Sequence, residues 1–380
     1  MENRPLKVAW DNSLARRNPT GSGVYSTQMI EHLSQQPGIR LQVFNGWDPA
    51  NRKAGEFGNQ SVLARGARAV RGLTWSNAFF PLQLRRGKFD LLHTPSFVLP
   101  FACPCPTVAT IFDVSFLLYP EHFERRWRSY MKYVMPSVVR SASAIICISE
   151  CARQDLLKFY DVAPDKVRVV YCGIDHERFK PHEPLNQNWA QKIGLTRPYV
   201  LHVGLLSERK NIPTLLRAVA ALRAQGRFEN MQLVLAGPEV SVLTGAVEIH
   251  NTIQSLGLSD LVVITGFVPD GCMAGLYAQA RLLVMPSIYE GFGLPVAESM
   301  ASGVPVVASN TSSLPEIAAG AAILAPPHDE AAWAEAIGQL LENPATAEAM
   351  RAKGLERAAQ FSWERSAEET VAVYRTVLGK

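Results

Sequence analysis

The 380-residue sequence is poor in the features that mark secreted and membrane proteins. It contains six cysteines, none of them in a Cys-x-x-Cys pair, so neither a disulfide framework nor a zinc site is indicated. No apolar run approaches the length that a membrane-spanning helix requires, and the start of the chain lacks a secretory apolar core. We therefore expect a globular protein of the cytoplasm.

Two common nucleotide and metal motifs are also missing. A dinucleotide fingerprint needs Gly-x-Gly-x-x-Gly directly after a strand, with an acidic residue about twenty positions later. Gly21-Ser22-Gly23 lacks the third glycine, lies far from the strand predicted at residues 6–11, and precedes a helix predicted from about Val24. This argues against a nicotinamide-dependent oxidoreductase. No Asp-x-Asp motif occurs either, and we predict neither a metal nor another cofactor.

Positive charge is scarce in the second half of the chain and abundant in the first. Residues 1–182 carry 24 Lys and Arg against 15 Asp and Glu, a net charge of +9. Residues 183–380 carry 14 against 19, a net charge of −5. The asymmetry predicts an anionic partner for the first half. A lipid surface and a phosphate-bearing acceptor both fit better than nucleic acid, and the charges do not choose between them.

Short apolar segments of strand length alternate with helical segments along both halves of the chain. This alternation predicts an α/β protein with two domains, each built on a mostly parallel sheet that helices cover on both faces. We place the first domain at residues 1–180 and the second at residues 181–364.

A strand, a glycine turn and a helix in the second half carry two carboxylates. Residues 282–285 read as a buried strand, the turn falls at residues 291–293, and Pro295 is suited to the first turn of a helix. Glu290 precedes the turn and Glu298 follows it, so both can face the carboxyl end of the strand, where open α/β sheets bind ligands. Two solvated surface acids are the alternative.

A pair of cations precedes another helix of the same half. Arg209 and Lys210 lie between a strand predicted at residues 199–203 and a helix predicted at residues 212–224. Cations at a helix entrance opposite a strand end are well placed to neutralise a diphosphate, the arginine by engaging two oxygens and the lysine as a mobile point charge. A solvent-exposed charge pair is the alternative.

Together these motifs resemble those of a known family. Glu290 and Glu298 around Gly-Phe-Gly-Leu-Pro, with the segment 201–211 that contains Arg209-Lys210, are similar to the signature of retaining glycosyltransferases of family 4. The resemblance implies the GT-B fold, in which two Rossmann-like domains face each other. It also implies that the C-terminal helix crosses back, so that residues from about 365 to 380 pack on the first domain.

The resemblance implies roles for individual residues. The implied catalytic residues are Glu290, Arg209, Lys210 and Asp113, with Glu290 holding the donor sugar and Glu298 accepting from the ribose hydroxyls. The residues that it places against the nucleotide-sugar donor are Gly21, Gly23, Gly204, Arg209, Lys210, Gly237, Phe267, Val268, Glu290, Gly291, Phe292, Gly293, Leu294 and Glu298. It implies no metal ligand.

The sequence departs from the family pattern at two positions. Many members have His-Asp where this chain has Phe112-Asp113, so Asp113 is left as the candidate polar group there. An arginine that some members place directly after Gly204 is Leu205 here, which leaves the positive charge to Arg209 and Lys210.

The function implied by the resemblance is a metal-independent transfer of a hexose with retention of anomeric configuration. The motifs look most like those of mannosyltransferases that make bacterial surface polysaccharides, so we expect GDP-mannose as donor and a saccharide or polyprenyl-linked saccharide as acceptor. A UDP-linked glucose, galactose or N-acetylhexosamine donor is one alternative. A non-catalytic sugar-nucleotide-binding protein of the same fold is another.

Aromatic and basic residues are interleaved between residues 121 and 140. This composition is typical of a helix at an anionic membrane surface, and a core-packed helix with a basic outer face explains it equally well. Peripheral contact of the first domain with the inner face of the cytoplasmic membrane is therefore an open expectation.

Overall fold

The computed structural model describes residues 4–12, 21–44, 75–95, 97, 99, 100, 102–239 and 245–380. It divides into two compact units. The first comprises Met1–Leu118, Glu124–Cys172 and Trp363–Lys380, and the second comprises Tyr119–Phe123 and Gly173–Ser362. The last helix thus belongs to the first unit, although it follows the second unit in sequence.

The described strands of the first unit form a parallel sheet of six. They are β1 Leu6–Asp11, β2 Ile39–Phe44, β3 Leu91–Thr94, β4 Thr107–Ile111, β5 Ala144–Cys147 and β6 Val167–Val169. Their order is β2-β1-β3-β4-β5-β6, so the direction of strand addition reverses between β1 and β3. All residues of β3, β4 and β5 are buried, as expected for a parallel sheet with both faces covered.

The described strands of the second unit repeat this architecture. They are β7 Tyr199–Val203, β8 Gln232–Ala236, β9 Val262–Gly266, β10 Leu282–Met285, β11 Val306–Ser309 and β12 Ile323–Ala325. Their order is β12-β11-β10-β7-β8-β9, which reverses between β7 and β10. Such a reversal opens a crevice at the carboxyl ends of the two strands.

Helices cover both sheets. Those of the first unit are Gly21–Gln35, Phe80–Gly87, Ser115–Leu118, Arg125–Ser141, Glu150–Phe159 and Trp363–Val377. Those of the second unit are Gln187–Lys192, Ile212–Ala224, Gly245–Ser255, Asp270–Ala278, Leu294–Ala301, Leu314–Ala318, Glu330–Glu342 and Pro344–Ala358. Shorter turns are the π-helix Trp75–Phe79 and the 3₁₀ helices Pro120–His122, Pro164–Lys166 and Glu208–Lys210. Within the described residues, no helix is both long and apolar enough to cross a membrane.

The last helix is anchored to the first unit by buried side chains. The ring of Trp363 lies 6.0 Å from that of Tyr25 on the first helix, and the Ser366 hydroxyl donates to the carbonyl of Tyr171 at 2.6 Å. Tyr374 is fully buried and is hydrogen-bonded to His93. The predicted two-domain α/β fold, with a C-terminal helix that returns to the first domain, is confirmed.

One local prediction is wrong. Gly21, Ser22 and Gly23 form the first turn of the helix Gly21–Gln35, whereas the sequence suggested a loop with the helix starting near Val24. Glycine is costly in the middle of a helix but tolerated at its N-terminal end, so the two glycines did not fix the boundary.

Candidate functional site

The candidate site lies at the strand reversal of the second unit. The segment after β7 carries Arg209 and Lys210, and the segment after β10 carries Glu290. Because β7 and β10 are adjacent and parallel, their carboxyl ends deliver both segments to one edge of the sheet. The structure therefore brings together three of the side chains that the sequence predicted as catalytic.

Glycines allow the segments after β7 and β8 to approach closely. Gly237 has φ +147°, and a Cβ atom there would overlap the carbonyl oxygen of Gly204. A Cβ at Gly204, which has φ +151°, would lie 2.9 Å from Cε of Lys210. Both positions require glycine, and at Gly204 the missing side chain leaves space for the Lys210 stem.

Arg209, Lys210 and Glu290 form a charged triad. The Lys210 ammonium donates to Oε1 of Glu290 at 2.6 Å, and a guanidinium nitrogen of Arg209 lies 3.6 Å from Oε2. Arg209 also donates to the carbonyl of Tyr289. Lys210 and Glu290 are buried, while Arg209 is partly exposed. The triad carries one net positive charge, so it presents less cationic charge than two unpaired cations would.

The protonation of the triad follows from its geometry. Burial alone would raise the pKa of Glu290, but the charges of Lys210 and Arg209 and the hydrogen bond from Lys210 outweigh burial and lower the pKa to about 2. Burial lowers the pKa of Lys210; Glu290 opposes this shift and Arg209 adds to it. Glu290 is therefore ionised at neutral pH and holds the lysine in place.

Asn211 fixes the turn that presents the two cations. It has left-handed backbone angles, φ 53° and ψ 37°, directly before the helix Ile212–Ala224. Its side-chain amide donates to the carbonyls of Pro286 and Pro327. In addition, the Ile288 amide donates to the carbonyl of Arg209 at 2.9 Å. The cation turn is thus tied to the segment after β10.

Two serines hold the glycine turn in place, and neither was predicted as a site residue. Ser312 accepts from the amide of Glu290 at 3.0 Å. Ser313 is fully buried, and its hydroxyl donates to the carbonyls of Glu290 and Phe292 at 2.9 and 2.8 Å. These contacts join residues 312–313 to residues more than twenty positions earlier, a pairing that no sequence pattern reports.

The helix that carries Glu298 begins at the glycine turn, as predicted. It spans Leu294–Ala301, Pro295 lies in its first turn, and the preceding Gly293 has φ +100°. Its N-cap residue is this glycine, which has no side chain to cap the helix. Glu298 is partly exposed, and its Oε2 accepts a hydrogen bond of 2.7 Å from the hydroxyl of Tyr277. Burial raises the pKa of Glu298, while Tyr277 and then Arg178 act in the opposite direction.

The remaining predicted donor-site residues of the second unit differ in exposure. Gly291 and Phe292 are buried, and the Phe292 ring lies 5.5 Å from that of Phe361, so Phe292 is part of the core. Leu294 is partly exposed. After β9, Val268 is buried whereas Phe267 is 61% exposed.

Three predicted site residues belong to the first unit. Asp113 accepts from both the amide and the hydroxyl of Ser115, at 2.9 and 2.6 Å, and so caps the short helix Ser115–Leu118. The adjacent Phe112 packs edge-on against Tyr25 at 5.2 Å. Gly21 and Gly23 begin the first helix.

Two family models match the chain. One, described as Glycosyltransferase Family 4, matches residues 19–178, and the other, described as Glycosyl transferases group 1, matches residues 186–357. The O-antigen chain mannosyltransferase B of Escherichia coli is 32% identical over 396 residues, which cover 97% of this chain and 100% of that protein.

Two further similarities cover different shares of their proteins. The MMP alpha-(1->4)-mannosyltransferase of Mycolicibacterium hassiacum is 31% identical over 261 residues, covering 67% of this chain but 59% of that protein. The solved structure of sucrose-phosphate synthase from Thermosynechococcus elongatus has a TM-score of 0.78 at 23% identity, covering 98% of this chain and 99% of that one. The full-length relative and the two family models identify this chain as a glycosyltransferase that belongs to glycosyltransferase family 4.

Proposed function

We propose that the protein transfers mannose from GDP-mannose to a saccharide or lipid-linked saccharide, with retention of anomeric configuration and without a metal ion. The observation that carries this proposal is the Arg209–Lys210–Glu290 triad at the strand reversal of the second unit. The choice of mannose is supported by the full-length relative, which is named as an O-antigen chain mannosyltransferase.

The triad suits a diphosphate leaving group. As the glycosidic bond breaks, negative charge grows on the phosphate oxygen, and fixed cations stabilise that charge without reorganising. Lys210 is held by Glu290, and Arg209 is held by the carbonyl of Tyr289. The N-terminus of the helix Leu294–Ala301, with Gly293 as its N-cap, adds the positive end of its dipole to the same strand edge.

In the proposed complex, different segments of the second unit contact different parts of the donor. Glu290 borders the sugar, Glu298 accepts from the ribose hydroxyls, and the backbone of residues 267–268 meets the base. Val268 is buried, so its side chain is withheld from the base, whereas the Phe267 ring beside it is exposed. Asp113 is the proposed catalytic residue of the first unit, and its carboxylate accepts two hydrogen bonds from Ser115.

A nucleotide-sugar panel tests the proposal. Purified protein is given GDP-mannose, UDP-glucose, UDP-galactose and UDP-N-acetylglucosamine, each with and without mannosylated acceptors, and the released nucleotide is measured. We expect acceptor-dependent release of GDP that persists in EDTA, and an α-mannosidic product by NMR. Release of UDP would replace the donor assignment, and no release from any donor would favour a binding protein.

We also propose peripheral contact with an anionic membrane through the helix Arg125–Ser141. Trp127, Tyr130 and Tyr133 are exposed on it, Tyr133 by 77%. The exposed cations of this helix are Arg125, Arg126, Lys132 and Arg140. None of these four has a carboxylate within ion-pair distance in the described part of the chain. Each such cation contributes roughly 1 kcal/mol near an anionic surface.

Vesicle co-sedimentation tests this contact. The variant Arg125→Glu/Arg126→Glu is expected to lose binding to vesicles that contain phosphatidylglycerol. The matched control Lys158→Glu/Arg168→Glu makes the same charge change at exposed positions elsewhere in the first unit. Equal loss in both variants would mean that overall charge, rather than this helix, attracts the protein to lipid.

A further inference from the structure

We propose that Tyr277 is a positioning residue that aims the Glu298 carboxylate at the ribose of the donor nucleotide. This inference rests on the proposed function, because it takes the ligand of Glu298 to be a nucleotide. The observation behind it is the 2.7 Å hydrogen bond from the Tyr277 hydroxyl to Oε2 of Glu298. Among the described residues, no other side chain hydrogen-bonds to this carboxylate.

Tyr277 is itself held rigidly. It is fully buried, and its ring meets Phe179 edge-on, with centroids 5.5 Å apart and an interplanar angle of 86°. The guanidinium of Arg178 lies over Phe179 at 5.1 Å and also contacts Asp270, the first residue of the helix that carries Tyr277. Packing fixes both the Tyr277 ring and the helix that carries it. Such a tyrosine can orient the side chain of Glu298, which is partly exposed and less constrained.

The helix Asp270–Ala278 also contacts residues 183–184 and the side chain of Tyr199. A Cβ at Gly275 would overlap the carbonyl of Pro184, so backbone and helix are in direct contact there. The side chain of Gln279 donates to the carbonyl of Glu183 at 2.9 Å. The Tyr199 hydroxyl donates to the carbonyl of Leu276 at 2.8 Å. These contacts hold the helix in place, and with it the position of the Tyr277 hydroxyl.

The chemistry of the contact suits a ribose. A carboxylate offers about four lone-pair directions, and the Tyr277 hydroxyl occupies one of them. The rest can accept from two adjacent hydroxyl groups of a ribose. Burial raises the pKa of Glu298, and the hydrogen bond from Tyr277 opposes that rise and so supports the ionised form, which is the form that accepts. The same helix follows directly on residues 267–268, so it links the proposed base contact to the ribose contact.

The test compares a ribonucleotide with a nucleotide that lacks the ribose hydroxyls. Calorimetry measures Kd for GDP and for 2′,3′-dideoxy-GDP with wild type and with Tyr277→Phe, which keeps the ring and removes only the hydroxyl. We expect Tyr277→Phe to weaken GDP binding roughly tenfold and to leave dideoxy-GDP binding within about twofold, because only the hydroxyl contacts depend on the aimed carboxylate. With GDP-mannose, KM should rise while kcat changes less.

Tyr199→Phe is the matched control, since it removes a buried tyrosine hydroxyl that bonds to the same helix without touching Glu298. It should bind both nucleotides as wild type does. Equal weakening of both nucleotides by Tyr277→Phe would overturn the inference and assign the tyrosine a purely structural role. Equal affinity of wild type for GDP and dideoxy-GDP would overturn the Glu298–ribose contact while leaving donor binding intact. Failure of wild type to bind GDP would instead contradict the proposed function.

Discussion

Each sheet buries a histidine beside its strand reversal, but the two histidines have different surroundings. In the first unit, His93 lies on β3 next to β1, with its ring 4.4 Å from that of Trp10. Both ring nitrogens have partners: Nδ1 meets the Tyr374 hydroxyl at 2.6 Å and Nε2 meets the Thr110 hydroxyl at 2.8 Å. Burial lowers the pKa of His93 to about 3, so the ring stays neutral.

In the second unit, His202 lies on β7 next to β10. Its Nδ1 contacts the carbonyl of Val284 at 3.0 Å, and because a carbonyl only accepts, Nδ1 carries the proton. Its Nε2 is buried and has no hydrogen-bond partner in the described residues. Burial, followed by the charge of Lys210, lowers the pKa of His202 to about 4; the Val284 carbonyl and Glu290 oppose the shift.

The difference shows how one sheet topology serves two purposes. The strand reversal of the first unit is occupied by a satisfied network that ties the last helix, through Tyr374, to the sheet. At the strand reversal of the second unit lie the charged side chains of Arg209, Lys210 and Glu290. The nearby His202 has one ring nitrogen, Nε2, without a hydrogen-bond partner in the described residues. Function belongs to the side chains at a site rather than to the fold that holds them.

The largest effect is expected when a charge is removed from the strand reversal of the second unit, because only that reversal is assigned a role in the reaction. Lys210→Ala should lower turnover by about 10²–10³-fold, since it deletes a fixed cation that we propose stabilises the developing phosphate charge. Nucleotide release under saturating donor measures the effect. Arg217→Ala is the control, because it breaks an exposed ion pair with Glu330 on the neighbouring helix. Wild-type turnover in folded Lys210→Ala protein would remove Lys210 from the chemistry.

The sequence predicted much of this site because its parts are local. The strand at residues 282–285, the glycine turn, Pro295 in the first helical turn and the helix at residues 212–224 all appear as expected. Alternating apolar and helical segments were enough to predict both parallel sheets. The early helix start at Gly21 was missed, because glycine at a helix end gives a weak boundary signal.

The parts that the sequence did not predict depend on distant residues. Nothing in the spacing of Arg209, Lys210 and Glu290 said that the carboxylate would neutralise one cation instead of facing the ligand alone. Tyr277 is an ordinary apolar position of its helix until Glu298 is placed beside it. Such pairings are set by tertiary packing, and local patterns carry no information about them.

A second test measures how the stability contributed by Glu290 changes as the pH is lowered. Glu290 has a folded-state pKa of about 2 against an ordinary value of 4.5, so its charge stabilises the folded state above pH 4.5, and this contribution is lost as pH falls toward 2. The full contribution is about 3 kcal/mol, of which about 2 kcal/mol should be gone at pH 3. Urea unfolding from pH 6 to pH 3 should therefore show a smaller loss of stability for Glu290→Gln than for wild type.

Glu330→Gln provides the control for that measurement, since Glu330 is half-exposed and pairs with Arg217 at the surface. It should track wild type across the whole range, because exposed ion pairs contribute little. If Glu290→Gln also tracks wild type, the carboxylate is not held by the two cations in solution as the structure has it.

The smallest effect tests the two histidines directly. His93→Leu leaves the buried Tyr374 hydroxyl without its partner and removes one of the two partners of the Thr110 hydroxyl, which keeps Tyr25, so it should cost roughly 2 kcal/mol of unfolding free energy. His202→Leu gives up one hydrogen bond, removes an unpartnered nitrogen and should cost less than about 1 kcal/mol. Urea unfolding at pH 7 compares them, with leucine filling similar space in both. Equal costs would mean that Nε2 of His202 is satisfied in solution, and the contrast between the two strand reversals would then rest on the charged triad alone.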